Sequence, residues 1–328
     1  MTEAQPNRVT YGSTLVELGH RNPRIVVLDA DVPKSTNTCQ FQQAFPDRFF
    51  NCGVAEQNMI CVAAGLAASG KIAFASTFAV FASMRACEQI RTSVAYPRLN
   101  VKIVATNAGL DNAGDGVTHQ GIEDLAIMRS IPNLTVLSPS DPVTTRKAVL
   151  AVAQQDGPIY MRLGRNLSPL LHNENVDFQI GRMIRLREGT DLTIIATGNM
   201  AHAAVTAAKA LSEQGIQARV LDCHTIKPID REAILAAANE TMGIVTAEDH
   251  SIIGGLGSAV CEALSECCPA LVRRVGLKDC FASSGRDYRK LLAYFQMDAT
   301  AIQAEAEALM QSRRAVKVPS MLTECPGI

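Results

Sequence analysis

The sequence predicts an α/β protein of two domains, each a largely parallel sheet flanked by helices. Three observations carry this. Short apolar runs such as Ile25-Val26-Val27-Leu28 alternate with stretches long enough for helices. The alternation pauses once, between 168 and 190, and then resumes. The chain has 328 residues, 47% of them hydrophobic, with a mean hydropathy of +0.09, which is enough for two cores. The expected organisation is a first domain over 1–167, a linker over 168–190 and a second domain over 191–328.

The elements follow in order. Residues 9–20 read as a first helix, and 25–28 as a buried strand. That strand runs into Asp29-Ala30-Asp31 and Val32-Pro33-Lys34-Ser35. Polar residues just past the carboxyl end of a parallel strand are where such sheets present ligand groups. A short helix at 40–45 leads to the turn before Glu56. From Met59 to Ser69 nearly every residue is apolar or small, which predicts a helix buried on all sides. A strand at 71–76 precedes a long helix at 78–96, stopped by Pro97. After a strand at 101–105 comes a polar, glycine-rich loop from Thr106 to Gln120, a length that marks a functional loop. Helix 123–129, strand 134–137, helix 142–155 with Pro at its first position, and strand 159–162 complete the first series. In the second, strands at 192–196, 217–221, 243–247 and 271–275 alternate with helices at 200–214, 231–238 and 258–267. Helices near 287–295 and 300–312 follow, and the tail from Lys317 is expected to be mobile.

Composition excludes several function classes. A net charge of −1 gives no electrostatic case for nucleic acid or an anionic membrane. No apolar run approaches the ~18 residues of a membrane span. The start lacks the charged and apolar regions of a secretory leader. The ten cysteines are scattered, and no CxxC pairs with another or with a histidine cluster. Reduced thiols in a cytoplasm are expected, without structural zinc.

Glu56 opens the apolar helix. The helix N-terminus favours its carboxylate by ~0.3–1 kcal/mol, and burial opposes ionisation. If burial wins, the acid can share a proton with a ligand nitrogen; otherwise it merely complements the helix dipole. Phe78 and Phe81 lie three apart at an expected helix start, and Met84 continues their face. Such a stripe suits stacking on a flat heterocycle and equally suits plain core packing. Asp115 and His119 share the long loop, where they suit hydroxyl recognition and proton traffic, or simply scaffold it. Arg165 follows a strand end, where a guanidinium can clamp a phosphate or carboxylate, and Ser35 follows another. Gly254-Gly255-Leu256-Gly257 faintly resembles a dinucleotide fingerprint, but five residues separate it from its strand.

Together these stretches resemble the transketolase family. The resemblance rests on Gly53-Val54-Ala55-Glu56-Gln57-Asn58-Met59, Ser76-Thr77-Phe78-Ala79-Val80-Phe81, Gly114-Asp115-Gly116-Val117-Thr118-His119-Gln120, Pro132-Asn133-Leu134 and Glu248-Asp249-His250 through Gly257. It covers the pyrimidine-binding and C-terminal domains only, as in the C-terminal subunit of a split transketolase. Gly114-Asp115-Gly116 looks like the opening of a diphosphate–metal motif, but Asn133 comes too early to complete it. The resemblance implies thiamine diphosphate and Mg²⁺ as cofactors, with every metal ligand coming from a partner N-terminal subunit. It implies that Glu56 activates the aminopyrimidine and that Phe78, Phe81 and Met84 wall its ring. Asp115 and His119 then face sugar hydroxyls, His119 also serving catalysis, while Ser35, Asn107 and Arg165 occupy the acceptor-phosphate positions. Three departures stand out. Met84 replaces a frequent Tyr, Asn107 a frequent His, and Val9-Thr10-Tyr11-Gly12 lacks the Arg that helps hold phosphate. They leave room for an acceptor bearing another anion or none. The implied activity is transfer of a two-carbon ketol unit from a ketose to an aldose by an α2β2 assembly. A 2-oxo-acid dehydrogenase β subunit and a non-catalytic regulatory module with a relic site are the alternatives.

Overall fold

The computed structural model describes residues 4–315, so the tail expected to be mobile lies outside the described residues. The strands are β1 (Gln5–Pro6), β2 (Ile25–Asp29), β3 (Phe49–Asn51), β4 (Ile72–Phe78), β5 (Val101–Thr106), β6 (Thr135–Leu137) and β7 (Ile159–Arg162). They continue as β8 (Leu167–Ser168), β9 (Ile184–Arg187), β10 (Leu192–Ala196), β11 (Ala218–Asp222), β12 (Thr225–Lys227), β13 (Ile244–Ser251) and β14 (Val272–Leu277). A seven-stranded sheet runs β12-β6-β7-β5-β4-β2-β3, and a five-stranded sheet runs β14-β13-β10-β11-β9. Both are parallel except at one edge, where β12 and β9 run antiparallel to their neighbours. Every residue of β2, β4 and β5 is buried. That is why these strands read as continuous apolar runs: helices cover both faces of the sheet.

Alternation along the strands sorts the two faces. Ile25, Val27, Phe74 and Val104 pack with Tyr11 and Leu15 of helix Asn7–Arg21 and with Ala148 and Val149 of helix Pro142–Gln154. Val26, Leu28, Ala73, Ala75 and Ile103 pack with Met59, Ile60 and Ala63 of helix Glu56–Ala68. The expected two-domain α/β architecture is present. One crossing was not legible in the sequence: β12, well inside the second series, returns to pair with β6 of the first sheet.

A buried polar weld joins the domains. Arg162, at the end of β7, pairs with Asp124 at 3.0 Å and donates to the Asp249 carbonyl and the Gly121 carbonyl. Tyr160 donates to the same Asp124 at 2.7 Å. Burial pushes the Asp249 carboxyl up to about 6 despite the Arg162 charge.

Two expectations are corrected. Helix Glu56–Ala68 is not buried on all sides: Glu56, Met59, Ile60, Ala63 and Ala64 are buried, whereas Asn58, Cys61, Val62 and Gly65 are exposed. The sheet covers only one side of the helix. The expected helix over 78–96 begins later, because β4 continues through Phe78. It then widens into π-helical turns at Phe81–Arg85 and Ile90–Ala95, a departure often found at functional sites. The described cysteines are all free thiols, and among the described residues no helix is long and apolar enough to cross a membrane.

Candidate functional site

The sequence-predicted residues converge on the carboxyl edge of the seven-stranded sheet. Ser35 follows β2, Glu56 follows β3, Phe78 ends β4 and Phe81 follows it, Asn107 to His119 follow β5, and Arg165 follows β7. This is where open α/β sheets bind ligands. Two clusters result.

The first is built on rings. The Phe78 and Phe81 rings stack at 5.7 Å between centroids with an 18° interplanar angle. His119 stands edge-on to both, at 6.3 and 5.3 Å. A short 3₁₀ turn, Val117–His119, carries the imidazole, and Thr118 Oγ1 lies 2.8 Å from its Nδ1. Glu56 is the first residue of its helix and its side chain is 6% exposed. It is not an unpartnered acid: Arg85 Nη1 donates to Glu56 Oε1 at 3.0 Å, and the same guanidinium lies 4.0 Å over the Phe81 ring. Met84 does not continue a helical stripe with the two rings, because Phe78 is in a strand and the turn after Phe81 is π-helical. It is half exposed and lines a groove of about 340 Å³ with Phe81, Arg85, Thr118 and Glu123.

The second cluster is cationic. Arg8 Nη1 donates to the Ser35 carbonyl at 2.7 Å and Arg8 Nε to the Arg165 carbonyl at 3.1 Å. Arg165 Nη1 donates to Asn112 Oδ1 at 2.5 Å and lies 3.7 Å from Asp115. Burial and the Arg165 charge lower the Arg8 pKa, with Asp111 opposing them. Asp111 is buried and anchors the Arg165 turn, accepting from the backbone N–H of both Arg165 and Asn166. Burial raises its carboxyl, and those N–H groups, with the Asn166 and Asn199 amides, pull it back. Asn107 is buried in the left-handed region, φ 59°, and its Oδ1 has no hydrogen-bond partner among the described residues. It contacts neither cluster through a hydrogen bond.

Sequence reasoning missed three residues. Arg8 stands one position before the segment judged to lack an arginine. Its signal was the spacing to Gly12, one helical turn on, where a Cβ would collide with the Asn37 carbonyl. That close approach lays the helix directly on the Ser35 turn. Arg85 closes the π turn that Phe81 opens, which brings its guanidinium over the Phe81 ring. Asp111 gave no signal beyond being an acid in a glycine-rich loop. The dinucleotide-like stretch is accounted for differently: Glu248 accepts from the Leu256 and Gly257 N–H groups, so a carboxylate of the chain itself caps that helix N-terminus. Among the described residues no three His, Cys, Asp or Glu side chains are grouped to hold a metal ion.

Comparison with known proteins bears directly on this arrangement. Residues 4–169 match the model of the transketolase pyrimidine binding domain, and residues 181–302 that of the transketolase C-terminal domain. The chain belongs to the transketolase family. A 6-deoxy-6-sulfo-D-fructose transketolase subunit of Clostridium sp. is 48% identical over 284 residues, 86% of this chain and 88% of that one. An apulose-4-phosphate transketolase subunit of Phocaeicola vulgatus is 39% identical over 296 residues, 90% and 94% of the two chains. A solved structure described as a split gene transketolase, inactive beta4 tetramer, superposes with a TM-score of 0.86 at 49% identity. It covers 94% of this chain and 99% of that one. The two sheets described above are therefore the pyrimidine-binding and C-terminal folds of a transketolase.

Proposed function

We propose that this chain is the C-terminal subunit of a thiamine-diphosphate-dependent transketolase, which transfers a two-carbon ketol unit from a ketose to an aldose with an anionic end. One observation carries the reading: a buried carboxylate, Glu56, pairs with Arg85, whose guanidinium lies over the Phe81 ring of a cluster formed by Phe78, Phe81 and His119. A buried acid tied through an arginine to an aromatic cluster fits an aminopyrimidine, which is flat and carries nitrogens that exchange protons. Phe78, Phe81 and Met84 would bear on the ring, and Glu56 would hold or take a proton at a ring nitrogen. When bound, thiamine diphosphate supplies a carbon nucleophile that amino-acid side chains lack. Mg²⁺ and the diphosphate would be held by a partner N-terminal subunit.

The rest of the chemistry belongs to this chain. His119 and Asp115 hydrogen-bond the sugar hydroxyls, with His119 moving protons at the reacting oxygens. Arg8, Arg165 and Ser35 hold the acceptor's acid end. Two neighbouring guanidiniums repel each other, and an anion between them relieves that repulsion. Two relatives are named for sugars with a sulfo or a phosphate group, and either anion suits this pair. The exposed small-residue side of helix Glu56–Ala68 would pack on a second copy, giving an α2β2 assembly in the cytoplasm. The description of a β-only tetramer as inactive supports the need for a partner.

The test is reconstitution. The purified chain is mixed with the product of its neighbouring gene, thiamine diphosphate and Mg²⁺. Ketol transfer is then measured with phosphorylated and sulfonated sugars, beside reductive acylation of a lipoyl domain. Transfer by the mixture alone supports the reading. Transfer by this chain without the partner refutes the partner requirement, and lipoyl acylation refutes the reaction class.

A further inference from the structure

We infer that Asp29 is a positioning residue: it fixes the turn that aims Ser35 and Arg8, so acceptor affinity rather than ketol chemistry depends on its carboxylate. The inference rests on the reading that Arg8, Arg165 and Ser35 hold an anionic acceptor. Asp29 ends β2 and is fully buried. Its Oδ1 accepts from the Val32 N–H at 2.6 Å, and its Oδ2 from Thr36 Oγ1 at 2.7 Å and Thr38 Oγ1 at 2.8 Å. Val32 and Thr36 belong to the turn and short helix, Pro33–Thr36, that carry Ser35, and Thr38 lies just past them, at the start of the next helix. The two hydroxyls also touch each other at 3.0 Å.

This turn needs holding. Asp31 and Asn37 bracket it, and both sit in the left-handed region, at φ 65° and 63°. That conformation is uncommon for residues with a Cβ. The turn lies under the Gly12 stretch of helix Asn7–Arg21, whose Arg8 binds the Ser35 carbonyl. One carboxylate therefore ties together the turn and, through it, the guanidinium at its rim.

The carboxylate is held without a cation. Among the described residues no Lys, Arg or His forms an ion pair with it. Burial drives the Asp29 carboxyl up to about 6, against the pull of its three hydrogen bonds, and Asp31 on the same turn adds to the rise. The other titratable groups facing it are Tyr11 on the first helix and Cys52 beside β3, and Asp29 raises the pKa of both. Below about pH 6 a protonated Asp29 becomes a donor and can no longer accept from all three groups. The Ser35 turn then loses a restraint.

The experiment compares wild type with Asp29→Asn and Thr38→Val in the assembled enzyme. D-ribose 5-phosphate serves as charged acceptor and glycolaldehyde as uncharged acceptor, from about pH 5 to 8. We expect Asp29→Asn to raise KM for ribose 5-phosphate about tenfold, with kcat and the glycolaldehyde KM within about twofold. Wild-type KM for ribose 5-phosphate rises more steeply as pH falls through 6 than the sugar's own phosphate ionisation, also near about 6, accounts for, and the variant keeps only the part due to the phosphate. Thr38→Val, which removes one donor and no charge, shifts KM in the same direction by less and decides the matter if Asp29→Asn does not fold. A fall in kcat at constant KM, or an equal rise in KM for both acceptors, overturns the inference. Equilibrium titration of each protein with ribose 5-phosphate repeats the comparison without turnover. A wild-type complex that binds the sugar phosphate but transfers nothing therefore refutes the proposed reaction and still decides the role of Asp29.

Discussion

Replacing Glu56 with Gln separates the proton from the charge pair. Gln keeps the size of the side chain and an oxygen to accept from Arg85, but it cannot take a proton. The stability cost follows from exposure. Glu56 is 6% exposed but its partner Arg85 is 52% exposed, at 3.0 Å. Solvent screens such a pair, which is worth about 0–1 kcal/mol. In a chain of this size that lowers Tm by only about 2–4 °C or less. The activity cost is of another order. A positioned acid–base group contributes about 10²–10⁴-fold, or about 3–5 kcal/mol of barrier. The assembled complex with thiamine diphosphate and Mg²⁺ is assayed for ketose consumption, and a thermal melt is run on the same sample. We expect kcat to fall by at least about 10² with the melt nearly unchanged. Full turnover in the Gln variant would falsify the catalytic assignment. A loss that excess thiamine diphosphate restores would leave Glu56 a binding residue and defeat the proton argument.

Other predictions follow from the same geometry. Arg8→Ala removes the guanidinium between Ser35 and Arg165, and hydrogen bonds to charged groups are worth about 1.5–3 kcal/mol, so KM for a phosphorylated acceptor rises about 10–100-fold. An unchanged KM in steady-state assays shows that the anion is held elsewhere. Asp124→Ala strands Arg162, 5% exposed, in the domain weld. The expected loss is about 3–5 kcal/mol, read as a lower urea midpoint, and a shift under about 1 kcal/mol refutes the weld. The Asp29 carboxyl sits at about 6 in the fold against an ordinary 3.8. Its contribution to stability is thus full below the unfolded value and lost as pH rises through 6. Between pH 7 and 5 it adds about 1.3 kcal/mol by linkage. Urea melts of Asp29→Asn should lack that increment, and an identical pH slope in both proteins counts against it.

Much of this was legible because chemistry and periodicity agreed. Glu56 opens its helix as read, and each candidate loop follows a strand whose apolar run was plain. Three kinds of information were not local. Phe78 belongs to a strand because its backbone pairs with Thr106 of β5, and nothing in Ser76-Thr77-Phe78 distinguishes strand end from helix start. Met84 left the expected face because a π turn changes the residue spacing, and π turns have no sequence period of their own. Arg8 was missed because a short motif window excluded it by one residue. The side of helix Glu56–Ala68 left open reflects how far the sheet reaches, which no window on the helix reports.

The long loop explains why the second domain bears on chemistry done at the first. Leu110 N–H donates to Asp249 Oδ1 at 2.9 Å, and Tyr288 donates to the other oxygen at 2.9 Å. Gly109, at φ 65°, lies so close that a Cβ would collide with the Asp249 carboxyl. Further along, Gly285 N–H donates to the Ala113 carbonyl and Gln120 to the Ser283 carbonyl. Both ends and the middle of the segment bearing Asp111, Asp115 and His119 are thus pinned by residues from β13 onward. A glycine-rich loop of this length would otherwise lose much conformational entropy on ordering. These ties offset that loss before any ligand arrives. Asp111 then passes the restraint to Arg165, and Arg165 to Arg8 through its carbonyl. The ring cluster and the cationic cluster are therefore set by one pre-ordered loop, and the second domain acts as its clamp.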